Sequence, residues 1–167
     1  LEAFPADLSG SLETLSADAG WQPGLLPERA AILMDDNASE MSVEFDADRA
    51  RWLAVYASPV QTGSSRADRP SDRVYVRTAE FLEGPWSQRS LLYLMPELQP
   101  DHFGGHQPDT LCYAAKAHLA FSPAGRLLLT YVCNLAGREG EDAWQLLERL
   151  ERDMNLYRPR PVLLPLP

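Results

Sequence analysis

The sequence predicts an all-β protein, the C-terminal blades of a β-propeller with one short helical insertion, and three observations carry that expectation. Between Ser39 and Leu94 stand four short runs rich in β-branched, aromatic and aliphatic residues. They are Ser-Glu-Met-Ser-Val-Glu-Phe-Asp, Arg-Trp-Leu-Ala-Val-Tyr-Ala-Ser, Arg-Val-Tyr-Val-Arg-Thr-Ala and Leu-Leu-Tyr-Leu, each closed by turn formers, as sequential antiparallel strands are. The same grammar restarts at Ala117, with His118-Leu-Ala-Phe-Ser, a Pro-Ala-Gly turn and then Arg126-Leu-Leu-Leu-Thr-Tyr-Val-Cys. A four-stranded unit that recurs at roughly fifty residues is the pattern of propeller blades.

Taken in order, residues 1–29 read as the end of a blade. Phe4-Pro5, Leu8-Ser9-Gly10 and Trp21-Gln22-Pro23-Gly24 alternate apolar anchors with breakers. Residues 30–95 read as a complete blade, entered through Ala30–Met34 and the acidic turn Asp35-Asp36-Asn37. Met41, Val43 and Phe45 alternate with Ser42, Glu44 and Asp46, which places the two sets on opposite faces of one strand. Asp46–Ala50 supplies the hairpin, and Trp52–Tyr56 is apolar enough for burial on both faces. Residues 59–72 read as a surface loop, and 96–109 as a second loop containing Gly104-Gly105, His102 and His106. Residues 110–167 read as the last blade, interrupted by a helix over 141–153. Ala143, Leu146, Leu147, Leu150 and Met154 form its apolar stripe, and Glu141-Asp142 suits the positive end of its dipole. Val162-Leu-Leu-Pro-Leu reads as a closing edge strand, because its proline cannot donate to a central ladder.

Composition narrows the function classes. The chain has 167 residues, 45% of them hydrophobic, enough for one ordinary core or about three blades. A net charge of −9 opposes nucleic-acid phosphates and gives no support for an anionic membrane. No apolar run reaches the roughly 18 residues that span a bilayer, and no signal-peptide pattern is present. Leu1 is not a start methionine, from which a processed or truncated chain is expected. Cys112 and Cys133 are too few to staple the fold. With Phe121 and Leu127 flanking the Ser122–Gly125 turn, Cys133 falls opposite about residue 115, so two buried thiols are expected in preference to a bridge. His102 and His106 are spaced i, i+4 among glycines and a proline, and no metal set is assigned to them. Phosphate cradles, paired-cysteine zinc patterns and nucleophile elbows do not occur.

Tyr56-Ala57-Ser58, the Arg73–Ala79 strand and Glu83-Gly84-Pro85-Trp86 resemble a blade of the five-bladed β-propeller glycosidases, of the arabinanase and β-xylosidase type. Related uncharacterised propeller domains are similar too, and the resemblance covers residues 38–134. It implies Glu40 as the catalytic acid at the inner start of a blade, although Glu40-Met41-Ser42 stands where the family usually has Glu-Gly-Pro. It implies His118 as a residue beginning the inner strand of the last blade, facing substrate or a calcium-bound water. The usual Gly-His-Gly is Ala117-His118-Leu119 here. No other cofactor is expected.

Two functions follow. In one, the chain is part of a carbohydrate-active propeller that hydrolyses glycosidic bonds by carboxylate acid/base chemistry. Glu40 moves the proton, and the sugar lies against His118 and funnel aromatics such as Trp52, Tyr113 and Trp21. In the other, the propeller is a non-catalytic module that binds glycan or protein through the same funnel. Both place the protein outside the cell or in the periplasm. Both also expect a second chain or an N-terminal segment, or a second copy, to cover faces carrying Val43, Phe45, Leu53, Val55, Leu127 and Leu129.

Overall fold

The computed structural model describes residues 12–34, 36, 40–59, 70–99, 109–152 and 156–167. Among the described residues the chain is mostly β, with antiparallel sheets and one α-helix. The first sheet is a hairpin of β1 (Glu13–Ser16) and β2 (Gly20–Pro23). Thr14 is buried beneath it and links the hairpin to the following turn. Its Oγ1 donates to the Gly24 carbonyl at 2.8 Å and accepts the Leu26 N–H at 2.9 Å.

The second sheet pairs β3 (Met41–Asp46), β4 (Arg51–Pro59), β5 (Pro70–Ala79) and β6 (Ser90–Leu94) in sequence order. These are the four runs expected between residues 39 and 94. β4 and β5 extend into the segment expected to be a loop from 59 to 72, of which 60–69 lie outside the described residues. The β3–β4 hairpin closes because Asp46, itself buried, accepts the backbone N–H groups of Asp48 and Arg49 on one carboxylate oxygen. The β5–β6 connection turns at Gly84 (φ +92°), where an added Cβ would sit 3.0 Å from the Trp86 nitrogen.

The third sheet pairs β7 (Thr110–Ala117), β8 (Arg126–Leu135) and β9 (Arg160–Pro165), giving three strands among the described residues where a four-stranded unit was expected. β9 is the edge strand its prolines required. The helix, α1 (Ala143–Arg152), lies between β8 and β9 in the chain, as anticipated. It begins with a reciprocal cap: Asp142 Oδ1 accepts the Gln145 N–H at 2.9 Å, and Gln145 Oε1 accepts the Asp142 N–H at 3.0 Å. Leu146 and Leu150 pack against the core, whereas Leu147 is largely exposed. Arg149 anchors the helix to the start of β7 by pairing with Asp109 and Glu141.

The core lies between the second and third sheets. Leu53, Val55, Ala57, Val74 and Val76 meet Ala115, Ala117, Leu127, Leu129, Tyr131 and Leu135, all buried. Leu53, Val55, Leu127 and Leu129 were expected on uncovered faces; the two sheets cover them mutually. Val43 stays half-buried and Phe45 is 47% exposed. The Tyr131 hydroxyl reaches out of the core to Glu97 at 2.8 Å, and Arg160 donates to the other Glu97 oxygen at 2.7 Å. Burial, with the Glu97 carboxylate behind it, holds the Tyr131 phenol well above its ordinary range, so it stays protonated and donates.

Cys112 and Cys133 are joined, which corrects both the expected thiols and the expected register. Two local features make the difference. The segment expected to start a strand at Ala117 is instead a single 3-10 turn, Leu119–Phe121, so Leu129 faces Ala117 and not residue 119. Further along, Ala114 and Ala115 together oppose one residue of β8, and this bulge shifts the pairing by one more. The three-residue sum brings Cys133 from residue 115 to Cys112.

Candidate functional site

β3 and β7 are the edge strands of two different sheets, yet they lie side by side. Side-chain bonds, in place of a backbone ladder, join them. Ser42 Oγ accepts the Ala117 N–H at 2.8 Å, and Glu44 Oε2 accepts the Leu119 N–H at 2.8 Å. Each step of two along β3 is matched by a step of two after β7, so the strands run in the same direction. Strand alternation explains the arrangement: Glu40, Ser42, Glu44 and Asp46 share one parity, and Ser42 and Glu44 present their oxygens to the neighbouring edge. The candidate site is this seam, closed in its middle and chemically distinctive at its two ends.

At one end the β3–β4 hairpin and the 119–126 connection enclose a cleft of about 570 Å3. Phe45 and Trp52 face each other across the hairpin, with ring centroids 5.3 Å apart and planes inclined by 58°. Glu44, Asp46 and Asp48 bring carboxylates to the lining, and Arg126 brings a guanidinium. Several of these groups are held in place by the fold. Glu44 is tied to Leu119, Asp46 pairs with Arg49 at 3.2 Å, and Arg126 donates to the Leu163 carbonyl at 2.9 Å. The cleft therefore combines the exposed Phe45 ring with an acidic rim, part of which is already tied within the fold, and one guanidinium.

At the other end Glu40 precedes β3, and its charge acts on Tyr113 in β7. Asn134 and Tyr157 also act on the Tyr113 phenol. Burial lifts the Tyr113 phenol above its ordinary value, and the Tyr157 hydroxyl and the Glu40 charge add to the lift against the opposing Asn134 bond. The phenol is therefore neutral and able to donate. The bulge at Ala114–Ala115 immediately follows Tyr113 and sets its direction relative to the rest of β7; Ala114 adopts a left-handed conformation there, with φ +54°.

The residues predicted from sequence are thus divided between the ends. Trp52 lies in the cleft, while Glu40 precedes β3 at the opposite end and acts on Tyr113 only through its charge. His118 does not begin an inner strand. It follows β7 directly and opens the 3-10 turn, because the strand it was expected to begin ends at Ala117. Its Nε2 shares a 2.7 Å hydrogen bond with Thr130 Oγ1, and its carbonyl accepts the Ser122 hydroxyl at 2.7 Å. These bonds brace the tight connection at the cleft's back. Trp21 is on β2 in the first hairpin, 49% exposed. His102 and His106 lie outside the described residues. Glu97 comes close to Cys112 and Cys133 in a ligand-like grouping, but both sulfurs are spent in the disulfide and offer no thiolate.

Phe45 was read from sequence as a strand-face residue and not as part of a site, and Asn134 and Tyr157 were not singled out. Phe45 could have been found from its cross-strand position opposite Trp52 once the hairpin was placed. Asn134 and Tyr157 carry no local signal, because only the shifted register and the return of the chain after α1 bring them to Tyr113. No known protein family and no curated protein matches this chain.

Proposed function

We propose that this chain is the C-terminal part of a β-propeller that recognises carbohydrate, with the glycan seated in the cleft between the β3–β4 hairpin and the 119–126 connection. The observation that carries the reading is the pair of an exposed Phe45 and a half-buried Trp52 set among fixed carboxylates and Arg126 in a cleft of about 570 Å3. The apolar C–H faces of a sugar stack on such rings, and its hydroxyls find acceptors and a donor at the rim. Support for propeller architecture comes from two antiparallel sheets packed face to face with their first strands side by side and codirectional, as successive blades are around an axis. The ring is completed by a second chain or by another segment of the same gene product. The disulfide favours an oxidising compartment, secreted or periplasmic. No helix among the described residues is long and apolar enough to cross a membrane.

Trp52→Ala tests the reading. Loss of a central aromatic anchor is expected to weaken glycan binding about tenfold or more, with the fold verified by circular dichroism. Absence of binding to every member of a broad glycan array, or unchanged affinity in the variant, ends the proposal.

A hydrolytic reading has its own observation, the Glu40 charge reaching the Tyr113 phenol of the neighbouring sheet. Glu40→Gln separates the two readings. If Glu40 is a general acid, turnover of a bound glycan falls about a hundredfold while binding survives. If the wild type releases no reducing ends from any glycan it binds, the module is a binder alone.

A further inference from the structure

The two walls of the cleft belong to different sheets, and each wall is braced within itself. One is the β3–β4 hairpin, whose turn Asp46 closes through the Asp48 and Arg49 N–H groups. The other is the 119–126 connection of the third sheet. There the Ser122 hydroxyl donates to the His118 carbonyl at 2.7 Å and accepts the Leu128 N–H at 2.8 Å. The Arg126 N–H reaches the Pro123 carbonyl at 2.9 Å, and the Leu166 N–H reaches the Gly125 carbonyl at 3.1 Å. Among the described residues no backbone ladder runs from one wall to the other, and the hairpin reaches the third sheet through two hydrogen-bonded side chains. Arg51 donates to the Pro167 carbonyl at 2.5 Å on the exposed side. Glu44, which lines the cleft, accepts the Leu119 N–H on Oε2 at 2.8 Å. Of the other lining residues, Leu119 and Leu166 pack against the shared core, whereas Phe45, Asp48, Pro123 and Arg126 are exposed.

Resting on the proposed carbohydrate cleft, we infer that Glu44 is its positioning residue: the carboxylate latches the 119–126 wall to the hairpin and so sets the width that a sugar must fit. Strand alternation turns Glu44 toward the third sheet and Phe45 to the opposite face, so the cleft follows the edge of β3 between them. A ligand along that edge meets the Phe45 ring on one side and the connection on the other. The separation of those two surfaces is what Glu44 fixes. The Leu119 N–H opens a 3-10 turn and has no acceptor within it, and a carboxylate is a strong, charge-assisted acceptor for such a group. A latch made before binding spares the ligand the cost of ordering the wall. Ser42 makes the same kind of bond to Ala117 two residues back but does not line the cleft, so it secures the seam without setting the opening.

The test compares three variants of the full chain. Glu44→Ala removes the latch, Glu44→Gln keeps an amide oxygen that can accept the Leu119 N–H, and Ser42→Ala breaks the seam bond outside the cleft. Each is titrated by isothermal calorimetry with cellotetraose, xylotetraose and mannotetraose, and amide hydrogen exchange is followed at Ala117 and over 119–126. Glu44→Ala is expected to weaken the tetraose that the wild type binds best about tenfold and to speed exchange at Leu119 about as much. Glu44→Gln is expected to stay within about threefold of the wild type in both measurements. Ser42→Ala is expected to leave affinity unchanged while exchange rises at Ala117. Equal losses of affinity in Glu44→Ala and Ser42→Ala overturn the inference, because the seam as a whole would then be responsible. So does a Glu44→Gln variant as weak as Glu44→Ala, which would assign the effect to charge, and so does unchanged exchange at Leu119 in Glu44→Ala. If the wild type binds none of the tetraoses, nor any member of a broad glycan array, the carbohydrate reading falls, and exchange at Leu119 in the same variants still upholds or overturns the latch.

Discussion

The second and third sheets share one core but are secured on different principles. The third sheet carries its staple inside: the Cys112–Cys133 bond joins directly opposed residues on the core face of β7 and β8, both fully buried. The second sheet has no covalent bond and is secured on its outer face by charge. Asp36 Oδ1 accepts the Tyr56 hydroxyl at 2.9 Å and Arg77 at 2.7 Å, and Asp36 Oδ2 accepts Arg89 at 2.9 Å. Arg77 also donates to the Tyr56 oxygen and to the Ser87 carbonyl, while Arg89 lies over the Tyr75 ring at 4.5 Å. Tyr56 is buried on that face, and Asp36 and Arg77 are nearly so. A disulfide restrains the unfolded chain and is indifferent to acid; an ion-pair cluster works only while its carboxylate is ionised. One molecule therefore answers to two different stresses, reduction in one sheet and acid in the other.

The largest expected effect comes from removing the staple. Replacing both cysteines by alanine opens a loop with a sequence separation of 21, which the chain-entropy account values at about 3 kcal/mol. Chemical denaturation of the double variant, compared with the wild type under oxidising and reducing conditions, measures it. A wild type whose midpoint is unmoved by full reduction would show that the core alone holds β7 to β8.

Asp36→Asn is the matching disruption of the second sheet, expected to cost about 2 kcal/mol because charged hydrogen bonds to Arg77 and Arg89 are lost together. Its pH signature sharpens the comparison. Burial alone would raise the Asp36 carboxyl, but the bonds from Tyr56 and Arg77 and the charges of Arg77 and Arg89 outweigh burial and hold it below 3.8. A folded value below the unfolded one means that the stabilisation is fully present above the ordinary carboxylate range. It is lost as pH falls through the lowered value. Stability curves of wild type and variant should therefore differ at neutral pH and converge in strong acid. A constant gap across that range would assign the loss to packing.

The smallest effect concerns the bulge. Ala114 holds φ at +54°, a conformation that disfavours an L side chain, so Ala114→Gly should stabilise the third sheet by up to about 1 kcal/mol. The melting temperature of the variant against the wild type measures the gain, and an unchanged or lower value would show that the left-handed alanine costs the sheet nothing.

How much of this was legible depends on sequence distance. The second sheet could be read almost strand by strand, because its β3–β4 hairpin is short and Asp46 marks the turn. The alternation Met41-Val43-Phe45 against Ser42-Glu44-Asp46 also sorts its faces without ambiguity. The apolar stripe after Glu141-Asp142 and the prolines of β9 likewise announce the helix and the edge, although the helix begins at Ala143, two residues later than read. The third sheet was misread wherever one residue changes the parity of everything beyond it. A 3-10 turn at Leu119–Phe121 and a bulge at Ala114–Ala115 leave no reliable local mark, since alanine is not the residue that a left-handed bulge position favours.

The sequence by itself determined the all-β character, the number and order of strands in the second sheet, the placement of the one helix and the acidic balance of the surface. Those properties follow from side-chain period, turn chemistry and charge, which act over a few residues. Only the tertiary structure decided that Cys112 meets Cys133, that Leu53 and Leu129 share a core, and that His118 closes a connection. Pairings between distant residues depend on accumulated register, and register is set by the packing of whole sheets. For the same reason Trp52 stands in the cleft at one end of the seam while Glu40 precedes β3 at the other, with Tyr113 on a different sheet, a separation that no local pattern encodes.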